Sequence, residues 1–233
     1  MRVFPIKAFS DNYIWLVEDN KNLIIVDPGE AIGLLDYLQQ KKFNQLTILL
    51  THFHDDHTGG VKDILAKFPE TSIYGPIETK QLNTTTVKEN DQFEVYDQNF
   101  KVLKTSGHTK EHISYLMDNL LFCGDALFSA GCGRVFTGDY QAMFETMKKF
   151  RHLQDDVKVY AGHEYTETNL TFAHAMAPDN LQISKALQDV KELREKDLPT
   201  LPSTIGKEKQ INLFLQAENL EEFINLRKAK DDF

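Results

Sequence analysis

Thr51-His52-Phe53-His54-Asp55-Asp56-His57-Thr58-Gly59-Gly60 places three imidazoles and two carboxylates within six consecutive positions. The run before it, Leu46-Thr47-Ile48-Leu49-Leu50, reads as a short buried strand from its length and branched residues. The candidate ligands therefore stand where a strand ends and a loop begins. Gly59 and Gly60 free the turn into a helix predicted over 61–68. His52 and His54, two apart in extended chain, point the same way, while Asp56 and His57 can face a second point nearby. One metal would use only part of this set, so the spacing points to two metals close together. A His-x-His pair by itself is more often solvated loop than metal site, and the rest of the chain has to decide.

The length of 233 residues is enough to bury a sizeable core, as one large domain or one plus a small one. A net charge of −9 argues against a general nucleic-acid or membrane-surface partner, which would demand a basic face. It leaves room for an anionic small substrate, because bound metal ions dominate their local field. The two cysteines, Cys123 and Cys132, are too few for a disulfide framework. The first residues show no secretory pattern, and no apolar run is long enough to span a bilayer. The expectation is a cytoplasmic monomer.

Along the chain, strands are predicted over 2–6, 13–17 and 23–27, a helix over 31–40, and strands again over 72–74, 93–96, 100–104, 112–117 and 120–123. Asp97-Gln98-Asn99 and Asp118-Asn119 carry hairpin-turn chemistry. Asp139 caps a predicted helix to about 150, and 157–161 reads as one more buried strand. From about 166 strand signals stop: helices are predicted over 166–176 and 180–196, Pro199 and Pro202 break the pattern, and Asn219 with Glu222 has capping-box spacing for a last helix. The organisation expected is a mixed α/β metal-binding domain over 1–166 and a helical domain over 167–233.

Three further polar clusters each follow a predicted strand: Thr105-Ser106-Gly107-His108-Thr109, Cys123-Gly124-Asp125 and Ala161-Gly162-His163-Glu164. A glycine precedes the candidate ligand in each, which lets the backbone pass close to a crowded centre. Four strand ends thus deliver His52, His54, Asp56, His57, His108, Asp125 and His163 as candidate metal ligands, using five of the eight histidines. Of the remainder, His112 is assigned to supporting a ligand, His152 to the surface and His174 to helix packing. Asp27, in an Asp-Pro-Gly turn, reads either as a hydrogen-bond acceptor behind a ligand or as a simple turn carboxylate.

The ordered set His-x-His-x-Asp-His, Gly-His-Thr, Gly-Asp and Gly-His resembles the metallo-β-lactamase superfamily. Within it, Gly107-His-Thr-Lys-Glu-His-Ile-Ser-Tyr115, Leu121-Phe-Cys-Gly-Asp-Ala-Leu-Phe128, Gly131-Cys-Gly-Arg134 and His163-Glu-Tyr-Thr166 are similar to the glyoxalase II, or hydroxyacylglutathione hydrolase, family. Asp11-Asn12-Tyr13, Leu201-Pro-Ser-Thr204 and Gln210-Ile-Asn212 extend the likeness over nearly the whole chain. The resemblance implies an αββα sandwich with the site at one edge and a helical substrate-binding tail. It implies that His52, His54 and His108 hold one metal, that Asp56, His57 and His163 hold the other, and that Asp125 bridges them. Asp56 and Asp125 are thereby the catalytic carboxylates. Zinc is expected first, with iron and manganese as alternatives. The implied reaction is hydrolysis of an S-(2-hydroxyacyl)glutathione, such as S-lactoylglutathione, by water activated between two metals. Arg134, Phe136, Tyr165 and Gln216 fall at positions that line the thiol-peptide site, Gln216 standing where many members have arginine. Other readings are a mononuclear-iron persulfide dioxygenase, a hydrolase of the same fold acting on another thiol, a phosphodiester nuclease, and a metal-binding module without turnover. The chain shows neither a basic face nor an added clamping domain for a nuclease, and the full ligand set argues against an idle module.

Overall fold

The computed structural model describes residues 1–233, which cluster into two compact units, Met1–Lys104 with Glu111–Asp118 and Thr105–Lys110 with Asn119–Phe233. In the first unit β1 (Arg2–Ala8), β2 (Asn12–Asp19) and β3 (Asn22–Val26) run antiparallel, with Asn20 at φ 54° turning β2 into β3. β4 (Gln45–Leu49) and β5 (Ser72–Gly75) then add in parallel. Parallel neighbours need crossover connections. α1 (Ile32–Gln39) supplies the first, and α2 (Asp55–Thr58) with α3 (Val61–Lys67) the second. β6 (Thr85–Thr86) closes a six-stranded sheet in the order β1-β2-β3-β4-β5-β6. Leu34 and Leu38 of α1 and Val61 and Ile64 of α3 pack on Ile14, Leu16, Ile25 and Ile48 of the sheet, which fixes the height at which β4 delivers its loop.

The same unit holds an antiparallel set, β7 (Gln92–Val95), β8 (Gln98–Lys104) and β9 (Ile113–Met117). The β7–β8 turn is Tyr96-Asp97, both at positive φ, one residue earlier than the Asp-Gln-Asn signal placed it. Tyr115 of β9 is fully buried and donates its hydroxyl to Leu50 O at 2.8 Å, tying this set to the end of β4.

In the second unit β10 (Leu120–Gly124) is buried along its whole length. β11 (Leu127–Phe128) and β12 (Gly131–Cys132) form a small antiparallel ladder. α4 (Tyr140–Arg151) leads to β13 (Lys158–Ala161), parallel to β10. Then come α5 (Thr166–Met176), α6 (Leu181–Arg194), α7 (Ile205–Ile211), α8 (Leu213–Gln216) and α9 (Leu220–Asp231). Leu170 and Ala173 of α5 meet Ile183, Leu187 and Val190 of α6 in a separate core cluster. The caps are those the residue types favour: Asp139 accepts from Ala142 N–H, Asn180 from Ile183 and Asn219 from Glu222.

Two expectations need correction. Strand structure does not end at 166, because β14 (Ser203–Thr204) pairs antiparallel with β13. The loop after β4 is also not loop throughout: Asp55–Thr58 makes one helical turn, with His54 as its cap residue.

Candidate metal centre

In the first unit the site begins at Asp27, whose φ of 51° ends β3 and turns its carboxylate beneath the next strand end. Oδ1 accepts the Thr51 N–H at 2.7 Å and Oδ2 the Thr51 hydroxyl at 2.6 Å. Oδ2 also lies 3.0 Å from His57 Nδ1, and both residues are buried. Asp27 is therefore a hydrogen-bond acceptor behind the candidate ligand His57 rather than a simple turn carboxylate. A carboxylate only accepts, so His57 carries its proton on Nδ1 and turns the Nε2 lone pair outward. That Nε2 stands 3.6 Å from Asp56 Oδ2.

His52 is fully buried and places Nδ1 3.0 Å from Thr51 Oγ1. The Thr51 proton goes to Asp27, so the hydroxyl accepts from His52 Nδ1 and the Nε2 lone pair points away, 3.1 Å from His54 Nδ1. The His112 ring stacks on His52 with centroids 4.9 Å apart. Donor atoms of Asp27, His52 and His57 lie within 4.8 Å of one another. The chain closes on itself tightly here: a Cβ at Gly29 would meet Asp56 O at 1.9 Å.

The second unit repeats the logic. His108 Nδ1 donates to Arg134 O at 3.0 Å, leaving Nε2 to face Asp125 Oδ2 at 3.5 Å. His163 Nε2 approaches the same oxygen at 3.3 Å. Gly107, at φ 134°, lets this backbone pass α4, since a Cβ there would lie 2.5 Å from Met143 Cβ. Gly133 has the same function beside Asp125, whose main-chain O would be 2.0 Å from an added Cβ.

The chemistry of these donors fits a divalent cation. In each unit an imidazole is fixed with Nδ1 protonated and Nε2 directed at a carboxylate oxygen, a pair of electron-rich atoms that a cation draws together. Three of the four residues read as substrate contacts surround the second group. Phe136, 63% exposed, meets the His108 ring edge-on at 5.3 Å. Tyr165 stacks on His163 at 4.6 Å. Arg134, beside Phe136, donates Nε to Asp231 Oδ1 at 3.2 Å. Gln216 stands at the end of α8, its amide donating to Lys209 O at 3.1 Å. Burial pushes the thiols of Cys123 and Cys132 up, which keeps both protonated and non-nucleophilic.

Some residues with a part here escaped the sequence reading. Asn12, noted only as part of Asp11-Asn12-Tyr13, donates Nδ2 to Asp56 O and Oδ2 at 3.2 and 3.1 Å. Asp231, which pairs with both Arg134 and Arg227, sits in the last turn of α9, where nothing local marks it.

Residues 9–163 match the profile of the Metallo-beta-lactamase superfamily, and 164–233 that of the Hydroxyacylglutathione hydrolase C-terminus. The chain is 51% identical to the hydroxyacylglutathione hydrolase of Glaesserella parasuis serovar 5, over 100% of both sequences. It is 46% identical to the hydroxyacylglutathione hydrolase of Haemophilus ducreyi, again over 100% of both. Among solved structures, ETHE1 from Myxococcus xanthus superposes with a TM-score of 0.74 at 23% identity, over 98% of this chain and 90% of that one. The metallo-β-lactamase αββα fold with a helical C-terminal region is thus the one expected from the sequence. The chain belongs to the hydroxyacylglutathione hydrolase family of the metallo-β-lactamase superfamily.

Proposed function

We propose that the chain hydrolyses S-(2-hydroxyacyl)glutathiones, with S-lactoylglutathione as the reference substrate, to glutathione and a 2-hydroxy acid. Full-length identity to hydroxyacylglutathione hydrolases supports the reaction. The observation that carries the chemistry is the pair of oriented imidazoles, His57 and His108, each presenting Nε2 to a carboxylate.

In this reading His52, His54 and His108 would hold one divalent ion, Asp56, His57 and His163 would hold a second, and Asp125 would serve both. Zinc is the first candidate, with iron and manganese accepted by the same donors. Ions bound there would supply hydroxide near neutral pH and Lewis-acid polarisation of a thioester carbonyl. The protein's share is to keep the Nε2 atoms of His57 and His108 aimed at the carboxylates of Asp56 and Asp125. The leaving thiolate has a pKa near roughly 8.5 and departs without a strong general acid. No covalent acyl-enzyme is needed, in keeping with the buried, protonated thiols of Cys123 and Cys132.

Arg134, Phe136, Tyr165 and Gln216 are proposed to contact the thiol peptide, with residues 1–166 carrying the metals and 167–233 completing the substrate site. A monomer in the cytoplasm remains the proposed setting; no helix is long and apolar enough to cross a membrane. The test is thioester loss with S-lactoylglutathione run beside oxygen uptake with glutathione persulfide. Hydrolysis without oxygen uptake supports the proposal. Oxygen uptake without hydrolysis would assign the chain to persulfide oxidation.

A further inference from the structure

Asn12 opens β2 and is 6% exposed, although its side chain is polar. Its carboxamide donates to Asp56 O at 3.2 Å and to Asp56 Oδ2 at 3.1 Å. Gly29 presses on that same main-chain oxygen so closely that no Cβ could stand there. The Asp56 peptide is therefore wedged between the start of β2 and the Asp27-Pro28-Gly29 turn. The Asp56 side chain is 40% exposed, so packing alone holds its carboxylate less firmly than it would a buried one. The Asn12 amide is a directional restraint on it. It grips Oδ2, the oxygen that stands 3.6 Å from His57 Nε2. A carboxamide also suits the place electrically, donating to two oxygens without adding charge.

We infer that Asn12 is a positioning residue for metal binding: it holds the Asp56 carboxylate towards His57 Nε2 and thereby sets the affinity for the ion those two residues share. The inference rests on the reading of Asp56 and His57 as ligands. It makes the β1–β2 hairpin, 44 residues from Asp56 in sequence, part of the metal site. Asn12→Asp keeps the shape and replaces donors with acceptors facing two oxygens. Asn12→Ala simply removes the restraint.

The experiment is zinc titration of the metal-free proteins against a chromophoric chelator, for the wild type, Asn12→Asp, Asn12→Ala, Asp56→Ala and the double Asn12→Ala/Asp56→Ala. Loss of a group that orients a ligand costs about 10–100-fold in metal affinity. Asn12→Asp should reach that range and Asn12→Ala about tenfold, in one class of site only. The double variant should bind within about twofold of Asp56→Ala, because Asn12 acts through Asp56. Asn12 variants that bind like the wild type would overturn the inference, as would an Asn12→Ala loss that persists undiminished in the Asp56→Ala background, which marks a general structural role. If Asp56→Ala itself bound zinc like the wild type, the ligand reading would fail first and take the inference with it.

Discussion

Replacing Asp27 with asparagine tests the tautomer argument at its root. The carboxylate accepts from Thr51 N–H, from the Thr51 hydroxyl and from His57 Nδ1, at 2.7, 2.6 and 3.0 Å. An amide of the same shape has one oxygen for three donors. If that oxygen keeps Thr51 N–H, the NH2 group faces Thr51 Oγ1 and His57. His57 Nδ1 must then accept, and the proton moves to Nε2, where it blocks the lone pair directed at Asp56. Losing a group that orients a ligand in this way costs about 10–100-fold in metal affinity, or about 1.4–2.7 kcal/mol. The fold should also weaken by about 1–3 kcal/mol, since a charged acceptor with three buried donors becomes a neutral one. Chelator competition gives the first number, denaturant unfolding of the metal-free protein the second, and nitrogen-15 NMR of the imidazoles the tautomer. A variant whose His57 stays protonated on Nδ1, with zinc affinity unchanged, would show that Asp27 does not set the tautomer.

Other substitutions probe separate links. Asp125→Asn should reduce turnover at least 100-fold, since one oxygen of Asp125 faces both His108 and His163. Cys123→Ser should stay within a few-fold in steady-state thioester assays, and a dead Cys123→Ser that still holds metal would reopen covalent catalysis. Gln216→Arg should lower KM for S-lactoylglutathione by up to about fivefold, the worth of an exposed ion pair near 1 kcal/mol, with kcat unchanged and the gain shrinking at high salt. An unaltered KM would remove position 216 from the substrate site. Glu208 is fully buried and accepts from Ser129, Ala130 N–H, Ser203 and Asn212. Glu208→Ala leaves these donors buried without an acceptor and should cost about 3 kcal/mol or more in denaturant unfolding. Burial raises its pKa above the usual 4.5, so its protonated form is favoured in the fold. Its contribution to stability therefore falls as pH climbs from that value through the raised one.

The sequence exposed what is local. β4 is a clean apolar run and its candidate donors follow at once, so strand and donors could be read together. Caps such as Asp139 and Asn219 announced themselves because the cap residue and the N–H it serves are three positions apart. What stayed hidden is long-range. Asn12 gains its meaning only by meeting Asp56, and Asp231 by meeting Arg134, 97 residues away. Glu208 lies between two lysines, Lys207 and Lys209, yet it is fully buried and ties the β11–β12 turn, β14 and the cap of α8 to α7. β14 is two residues long, below the reach of any periodicity. The helical turn at Asp55–Thr58 is masked by its own polar residues, which read as loop.

The central claim, that these imidazoles and carboxylates assemble a metal-dependent thioesterase, is tested most directly by metal-free protein titrated with zinc while S-lactoylglutathione hydrolysis is followed. The account predicts no turnover without metal and full activity reached at about two zinc ions per chain. Undiminished hydrolysis by metal-free protein would contradict it, and so would a fully loaded protein that leaves the thioester intact.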